Sequence, residues 1–225
     1  MLDRLNLMLT KEQIDKISNL NILIIGVGGV GGYALESLVR TGVKKITIVD
    51  GDIIEESNLN RQIISINSNI GNNKVDVAKK RCLEINPLCN IEALNIFLDK
   101  SNIDQIDYHK YDFIIDACDT ITTKVLLVKK AMENKVDIIS CMGTGNRLNP
   151  LYLKITKLSK TFNDPLAKVM RKLLKDNGIK DVLVCWSSEL PIKNNSRTPG
   201  SAIFVPATAG LLISSYIIDK ATKGA

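Results

Sequence analysis

The chemistry of this 225-residue chain concentrates in one glycine-rich run and a few side chains downstream of it. The run is ILIIGVGGVGGYALESLVRTGVKKITIVD, residues 22–50, where Gly26, Gly28, Gly29 and Gly31 stand between an apolar β-branched stretch and a helical pattern. Glycines there let the backbone turn sharply and come close to a phosphate, while the first amides of the next helix point at the anion. Asp50 ends the second apolar stretch, the place from which an acid normally takes ribose hydroxyls. Downstream lie Arg61 with Asn58 and Asn60 in SNLNRQ, Lys74 in GNNKVD, and Asp119 in DACD. A planar donor fork suits phosphate oxygens, an ammonium adds a point charge, and one carboxylate can hold Mg²⁺ when phosphates supply its other ligands. Plainer readings exist for each: Arg61 as a surface ion pair, Lys74 as a solvated helix residue, Asp119 as a helix cap. Their shared place at the carboxyl ends of the expected strands favours the nucleotide reading.

Positioning these groups requires a sheet with crossover helices. Residues 22–25 read as a parallel strand covered on both faces, followed by a helix over 31–41 and a strand ending at Asp50. The segment GDIIEESNLN is polar and turn-rich, a loop over the strand ends. A helix starts near Lys74 and stops before Pro87; strands follow at 91–96, 113–116 and 137–140, with a helix over 123–134. That alternation predicts an α/β, Rossmann-like, doubly wound and mainly parallel sheet with helices on both faces. Leu5, Leu9, Ile14 and Ile17 mark an amphipathic arm ahead of it. In the last third, Asn163 or Asp164 can cap a helix with Pro165 in its first turn and a stop at Gly178. A strand over 181–186, a polar loop over 187–201 and a closing helix over 210–220 complete the chain. One domain over 1–225 is expected, with an arm at 1–19, a nucleotide-binding core at 20–145 and a C-terminal extension at 146–225.

The net charge of +6 and a pI near 9.0 suit a polyanionic partner. Lys168, Arg171, Lys172 and Lys175 recur at helical spacing, which makes either a phosphate-binding face or a solvated one. The five cysteines, Cys82, Cys89, Cys118, Cys141 and Cys185, are odd in number, dispersed and never in a CxxC pair. This pattern argues against disulfides and against a structural zinc, and points to a reducing cytoplasm. The stretch 203–218 is interrupted by Pro206 and Gly210 and is too short to span a bilayer, so no membrane role is expected. The sole histidine, His109, sits in polar DYHKYD and reads as solvated or structural. Cys118 and Cys141 read as packing residues, although Cys141 falls near the expected pocket.

GVGGVG, VDGD, SNLNRQ, GNNK and DACD together resemble the ATP-binding core of the ubiquitin-activating-like superfamily (ThiF, MoeB, HesA), whose members adenylate carboxylates; that match covers 22–145. RLNLMLTKEQ, CMGTGNRLNP, KTFNDPLAKVMRKLLKDNGI, WSSELP and PGSAIFVPATAG resemble the tRNA threonylcarbamoyladenosine dehydratase family within it. The resemblance implies a homodimeric, AMP-forming enzyme. It would use ATP to adenylate the threonyl carboxylate of threonylcarbamoyladenosine in tRNA and so cyclise that group. It also implies roles: the turn glycines and Asp50 for adenosine and phosphates, Asp52 in the same acidic motif, Asn58, Arg61 and Lys74 for phosphates, Asp119 for Mg²⁺, and Arg4 for the phosphates of the neighbouring subunit. Asn6 departs from the acid that relatives often carry there. A sulfurtransferase system is the further partner the resemblance suggests. The alternative is adenylation of the C-terminus of a ubiquitin-like sulfur-carrier protein, though such enzymes often hold zinc with CxxC pairs. An NAD-dependent oxidoreductase or nucleotide sensor would need only the glycine turn and Asp50, leaving Arg61, Lys74 and Asp119 without a role.

Overall fold

Short β-branched runs place their alternate side chains on opposite faces, and here both faces must be covered. The computed structural model describes residues 1–196 and 198–223. Its strands are β1 Asn21–Ile25, β2 Lys45–Val49, β3 Asn90–Leu94, β4 Phe113–Asp116, β5 Asp137–Cys141, β6 Leu153–Lys157 and β7 Leu183–Ser187. They form one sheet in the order β3-β2-β1-β4-β5-β7-β6, parallel except for the antiparallel β6 edge. The order reverses between β1 and β4, the switch point where doubly wound sheets bind ligands beyond the carboxyl ends of their strands.

The helices are α1 Lys11–Asn19, α2 Gly31–Thr41, α3 Lys74–Ile85, α4 Ile121–Asn134, α5 Pro165–Asp176 and α6 Phe204–Lys223. On one face Ile22, Ile24, Ile46, Ile48 and Ile115 pack against Leu35 and Leu38 of α2, Val75 of α3 and Ile213 and Ile217 of α6. On the other, Leu23, Ile25, Val49 and Ile114 meet Leu127 and Ala131 of α4. Val184 and Trp186 of β7 extend that second layer onto Ala167, Met170 and Leu174 of α5. The last third is therefore woven into the sheet rather than appended to it.

The boundaries differ from the sequence expectations in instructive places. Helix α6 starts at Phe204 rather than near residue 210, because Pro206 falls in its first turn, where the missing amide costs nothing. Gly210 inside it lets the backbones of α2 and α6 touch: a Cβ there would lie 2.3 Å from the Val30 carbonyl oxygen. Strand β6 has no clear signal in the sequence, since Leu153, Ile155 and Lys157 alternate over only five residues on an edge. In the N-terminal arm only α1 is α-helical, opened by a Thr10–Gln13 capping box, while Leu5–Leu7 form a single 3₁₀ turn. No described helix is long and apolar enough to cross a membrane.

Candidate functional site

The glycine turn joins β1 to α2, and its four glycines serve different ends. Gly26 has φ +90°, and a Cβ on Gly31 would meet the Gly26 carbonyl oxygen at 1.8 Å, so both are required by the turn itself. At Gly28 the nearest protein atom to an added Cβ is the Gln62 side chain at 3.6 Å, leaving the space above it open. Among the described residues none of the amides of Gly28, Gly29, Val30 and Gly31 has a protein acceptor, which leaves these donors at the positive end of α2 free for an anion. Asp50, at the end of β2, braces this turn: its Oδ2 accepts from the Val27 amide at 2.7 Å and its Oδ1 from the Asp52 amide at 2.9 Å. Gly28→Ala is accordingly expected to leave thermal stability within about 1 kcal/mol of the wild type, as a small change into open space does. It should nevertheless weaken ATP binding measured by calorimetry, because the methyl group occupies the open space at the turn. Unchanged ATP affinity would place the phosphates elsewhere.

Asp52 and Lys74 come together although 22 residues separate them. An isolated bridge between Ile53 and Asn73, and the Lys74 amide donating to the Asp52 carbonyl at 3.0 Å, bring the start of α3 beside the VDGD loop. The Lys74 ammonium then donates to Asp52 Oδ2 at 2.6 Å, and its side chain is only 7 % exposed. It is thus a buried, oriented cation rather than a solvated helix residue. Asn58 is buried too, its Oδ1 accepting from the Glu55 amide at 3.1 Å, so it shapes the loop that carries Arg61. Arg61 makes no ion pair among the described residues. Its guanidinium donates to the Ser57 carbonyl at 2.7 Å and to Asn60 Oδ1 at 3.1 Å, and its Cγ would lie 3.6 Å from a Cβ on Gly29. Arg61 is therefore held against the glycine turn with donors to spare.

The two acids of DACD have opposite fates. Asp116 is fully buried: Oδ1 accepts from the Lys124 ammonium at 3.1 Å and from the Cys118 thiol at 3.1 Å, and Oδ2 accepts from the Ser140 hydroxyl. Lys124 is equally buried and also donates to the Cys141 carbonyl at 2.8 Å, tying α4 to the ends of β4 and β5. Burial alone would lower the Lys124 pKa, but the Asp116 carboxylate outweighs it and holds the ammonium above its ordinary value. Burial first, and Asp116 second, push the Cys118 thiol far up, so it is no thiolate nucleophile at neutral pH. Asp119, by contrast, is exposed just beyond β4, with the Thr120 hydroxyl at 3.4 Å. A single open carboxylate fits Mg²⁺ carried in on nucleotide phosphates; among the described residues no cluster of three acids, histidines or cysteines would cage an ion alone. The sequence signal missed the Asp116–Lys124 pair, although two polar residues eight apart across a strand end and a helix could have suggested it.

Arg4 is not brought to this site. Leu2 packs on Gly42, beyond the C-terminus of α2, and Gln13 donates to the Thr222 carbonyl near the end of α6. Both contacts lie at the end of the sheet opposite the glycine turn, about 16 Å along an 11-residue α2. Arg4 is exposed there beside Leu7 and Met8, which are 79 % and 80 % exposed.

A second group lies beside the nucleotide edge, after β5 and β7. Arg147, 2 % exposed, donates Nε to the Glu189 carbonyl at 3.1 Å, Nη2 to the Asn163 carbonyl at 3.0 Å and Nη1 to the Gly143 carbonyl. Asp164, 3.5 Å from that guanidinium, accepts from the Gly143 amide and caps α5 through the Ala167 amide, each at 3.1 Å. This network seats α5 against the loop after β5; Arg147 carries no periodic pattern that would have flagged it. On α5, Lys168, Lys172 and Lys175 are exposed on one side, while Ala167, Met170 and Leu174 are buried. Arg171 departs from that basic face: its guanidinium donates to the Thr161 carbonyl at 3.0 Å and to the Thr161 hydroxyl, holding the turn before the helix.

The profile of the ThiF family matches residues 3–212. The tRNA threonylcarbamoyladenosine dehydratase of Bacillus subtilis strain 168 is 36% identical over 98% of this chain and 94% of its own. The Escherichia coli tRNA N6-threonylcarbamoyladenosine dehydratase TcdA, solved with AMP, superposes with a TM-score of 0.91 at 31% identity, covering 96% of this chain and 91% of that one. The same enzyme solved with ATP gives 0.90 at 30% identity with the same coverage. With a seven-stranded switch-point sheet and these near full-length matches, the chain belongs to the ThiF family, in its tRNA threonylcarbamoyladenosine dehydratase branch.

Proposed function

We propose that the protein uses ATP to cyclise threonylcarbamoyladenosine in tRNA, with loss of water, by adenylating the threonyl carboxylate. The observation that carries this reading is the convergence, at one sheet edge, of the glycine-turn amides without protein acceptors, the Asp52-oriented Lys74, Arg61 and the open Asp119. An NAD-dependent enzyme has no use for the last three. A carboxylate is a poor electrophile, and transfer of AMP to it creates a mixed anhydride with a good leaving group. The glycine-turn amides, Lys74 and Arg61 stabilise the negative charge that builds on the phosphates in that step. Mg²⁺ held by Asp119 would add charge neutralisation when bound. The carbamoyl group of the same side chain then attacks the activated carbonyl and AMP leaves. Ring closure is intramolecular, so position and dryness matter more than a protein nucleophile, in keeping with the raised Cys118 thiol.

The far placement of Arg4 favours a homodimer in which each arm serves the other subunit's phosphates. Exposed Leu7 and Met8 beside it supply apolar surface for such an association. For tRNA, the exposed Lys168, Lys172 and Lys175 form the phosphate-binding face, with Arg171 acting mainly on the fold. Changing Lys168 and Lys172 together to Ala is expected to reduce the slope of log tRNA affinity against log salt by roughly one for each phosphate no longer neutralised. ATP affinity should not move. A wild-type salt slope would put the tRNA on another surface. The competing substrate, a ubiquitin-like sulfur-carrier protein, is separated by AMP release: modified tRNA should trigger it and a sulfur-carrier protein with a free C-terminus should not. The reverse pattern would overturn the proposal.

A further inference from the structure

Asn146 lies in the left-handed region at φ +58° in the loop after β5, and both its backbone and its side chain are committed to a distant segment. Its amide donates to the Gly200 carbonyl at 2.7 Å, its Oδ1 accepts from the Gly200 amide at 2.7 Å and from Asn194 Nδ2 at 2.8 Å, and its carbonyl accepts from the Ile192 amide at 2.7 Å. The neighbouring Gly145 is pressed on the same segment, where a Cβ would meet Pro199 at 2.8 Å. At the other side of the site Asn60 Nδ2 donates to the Ser201 carbonyl at 2.8 Å, while Asn60 Oδ1 accepts from Arg61 at 3.1 Å. Just beyond, Pro206 at the start of α6 would lie 3.3 Å from a Cβ on Gly29.

These hydrogen bonds fix a path. The segment is held to the loop after β5 through Asn146 and, one residue on, to the loop after β2 through Asn60, and α6, which follows it, starts against Gly29 of the turn after β1; β4 lies between β5 and β1 in the sheet. Gly200 and Ser201 therefore bridge from the loop after β5 to the loop that carries Arg61, on the carboxyl-end side of β4, the strand that leads to Asp119, while Ile192 and Asn194 back them through Asn146. Asparagine suits position 146 because it tolerates φ near +58° better than most residues and still offers a side-chain acceptor.

We propose that these residues wall the pocket in which the activated carboxylate forms and keep water from it, with Asn146 and Asn60 as the positioning residues. The inference rests on the adenylation reading above. If the wall loosens, water attacks the acyl carbon, the bond from that carbon to the AMP oxygen breaks, AMP leaves with the electron pair and a proton goes to solvent. The threonyl carboxylate is regenerated with one oxygen from water. ATP is consumed and no ring is made.

The test counts AMP released per cyclised nucleoside, using full-length protein, ATP, Mg²⁺ and threonylcarbamoyl-modified tRNA in ¹⁸O-water. Wild type should release one AMP per ring. Asn146→Gly, which keeps the backbone conformation and removes the acceptor, and Asn60→Ala, which acts from the other side, should each raise that ratio severalfold. Heavy oxygen should then appear in the recovered uncyclised nucleoside. Asn146→Asp retains an acceptor for Gly200 and Asn194 and should return the ratio to one. If both loosened variants form AMP and ring one to one at whatever rate, the wall does not exclude water and the inference is overturned. A wild type that forms no AMP with this tRNA would instead overturn the adenylation reading.

Discussion

Asp119→Ala is expected to lower AMP and pyrophosphate formation by on the order of 10²–10³-fold, the scale of losing one strong electrostatic stabiliser of developing charge. ATP affinity should change only a few fold, because on the proposed reading the glycine-turn amides, Lys74 and Arg61 would still hold the triphosphate in the ground state. The other acids at this edge are already engaged: Asp116, three residues earlier, is buried against Lys124, Ser140 and Cys118, Asp50 is committed to two backbone amides, and Asp52 pairs with Lys74. Fold stability should hardly move, since Asp119 is exposed and its described partner is the Thr120 hydroxyl. Single-turnover AMP formation beside calorimetric ATP binding separates the two effects. Near-normal turnover would remove Asp119 from the site; an equal loss of binding and turnover would make it a ground-state ligand only.

Arg4→Ala should cause a loss of similar order, roughly 10²-fold or more, although Arg4 lies at the far end of its own subunit. The expectation follows from a crossing arm in a two-fold dimer, and mixing distinguishes it from an arm acting within its own chain. When inactive Arg4→Ala and inactive Asp119→Ala proteins exchange subunits at random, half the dimers are mixed. In each mixed dimer one site has both residues and the other has neither, so about a quarter of wild-type activity should return. An arm acting in its own subunit leaves every site damaged and restores nothing. No recovery, with exchange demonstrated by mass, would remove the crossing arm from the account.

The parts of the site legible in the sequence are those whose chemistry is local. The glycine turn, Asp50 and Asp119 each sit at the end of a strand that declares itself by a run of apolar β-branched residues, and the structure places all of them at one sheet edge. What was hidden depends on chain segments meeting across long loops. Lys74 is legible as a phosphate-handling cation, but its burial and its pairing with Asp52 are not, because they depend on the Ile53–Asn73 bridge. Arg171 shares a periodic basic stripe with three lysines, yet the turn ending at Thr161 captures its guanidinium. Arg147 and Asn146 fall in the CMGTGNRLNP motif, but no periodicity singles them out, because their partners Asn163, Asp164, Glu189, Ile192, Asn194 and Gly200 become neighbours only once β5 and β7 pair. Pro206 suggested a break where the helix in fact begins, since a proline in a first turn and one in a linker look alike in sequence.

The most direct measurement of the central claim is nucleoside mass analysis of tRNA carrying threonylcarbamoyladenosine after incubation with the protein, ATP and Mg²⁺. The account predicts an ATP-dependent loss of one water from that nucleoside, with one AMP and one pyrophosphate formed for each nucleoside changed. An unchanged nucleoside mass with active, folded protein would contradict it, most decisively if the same preparation released AMP with a ubiquitin-like sulfur-carrier protein instead.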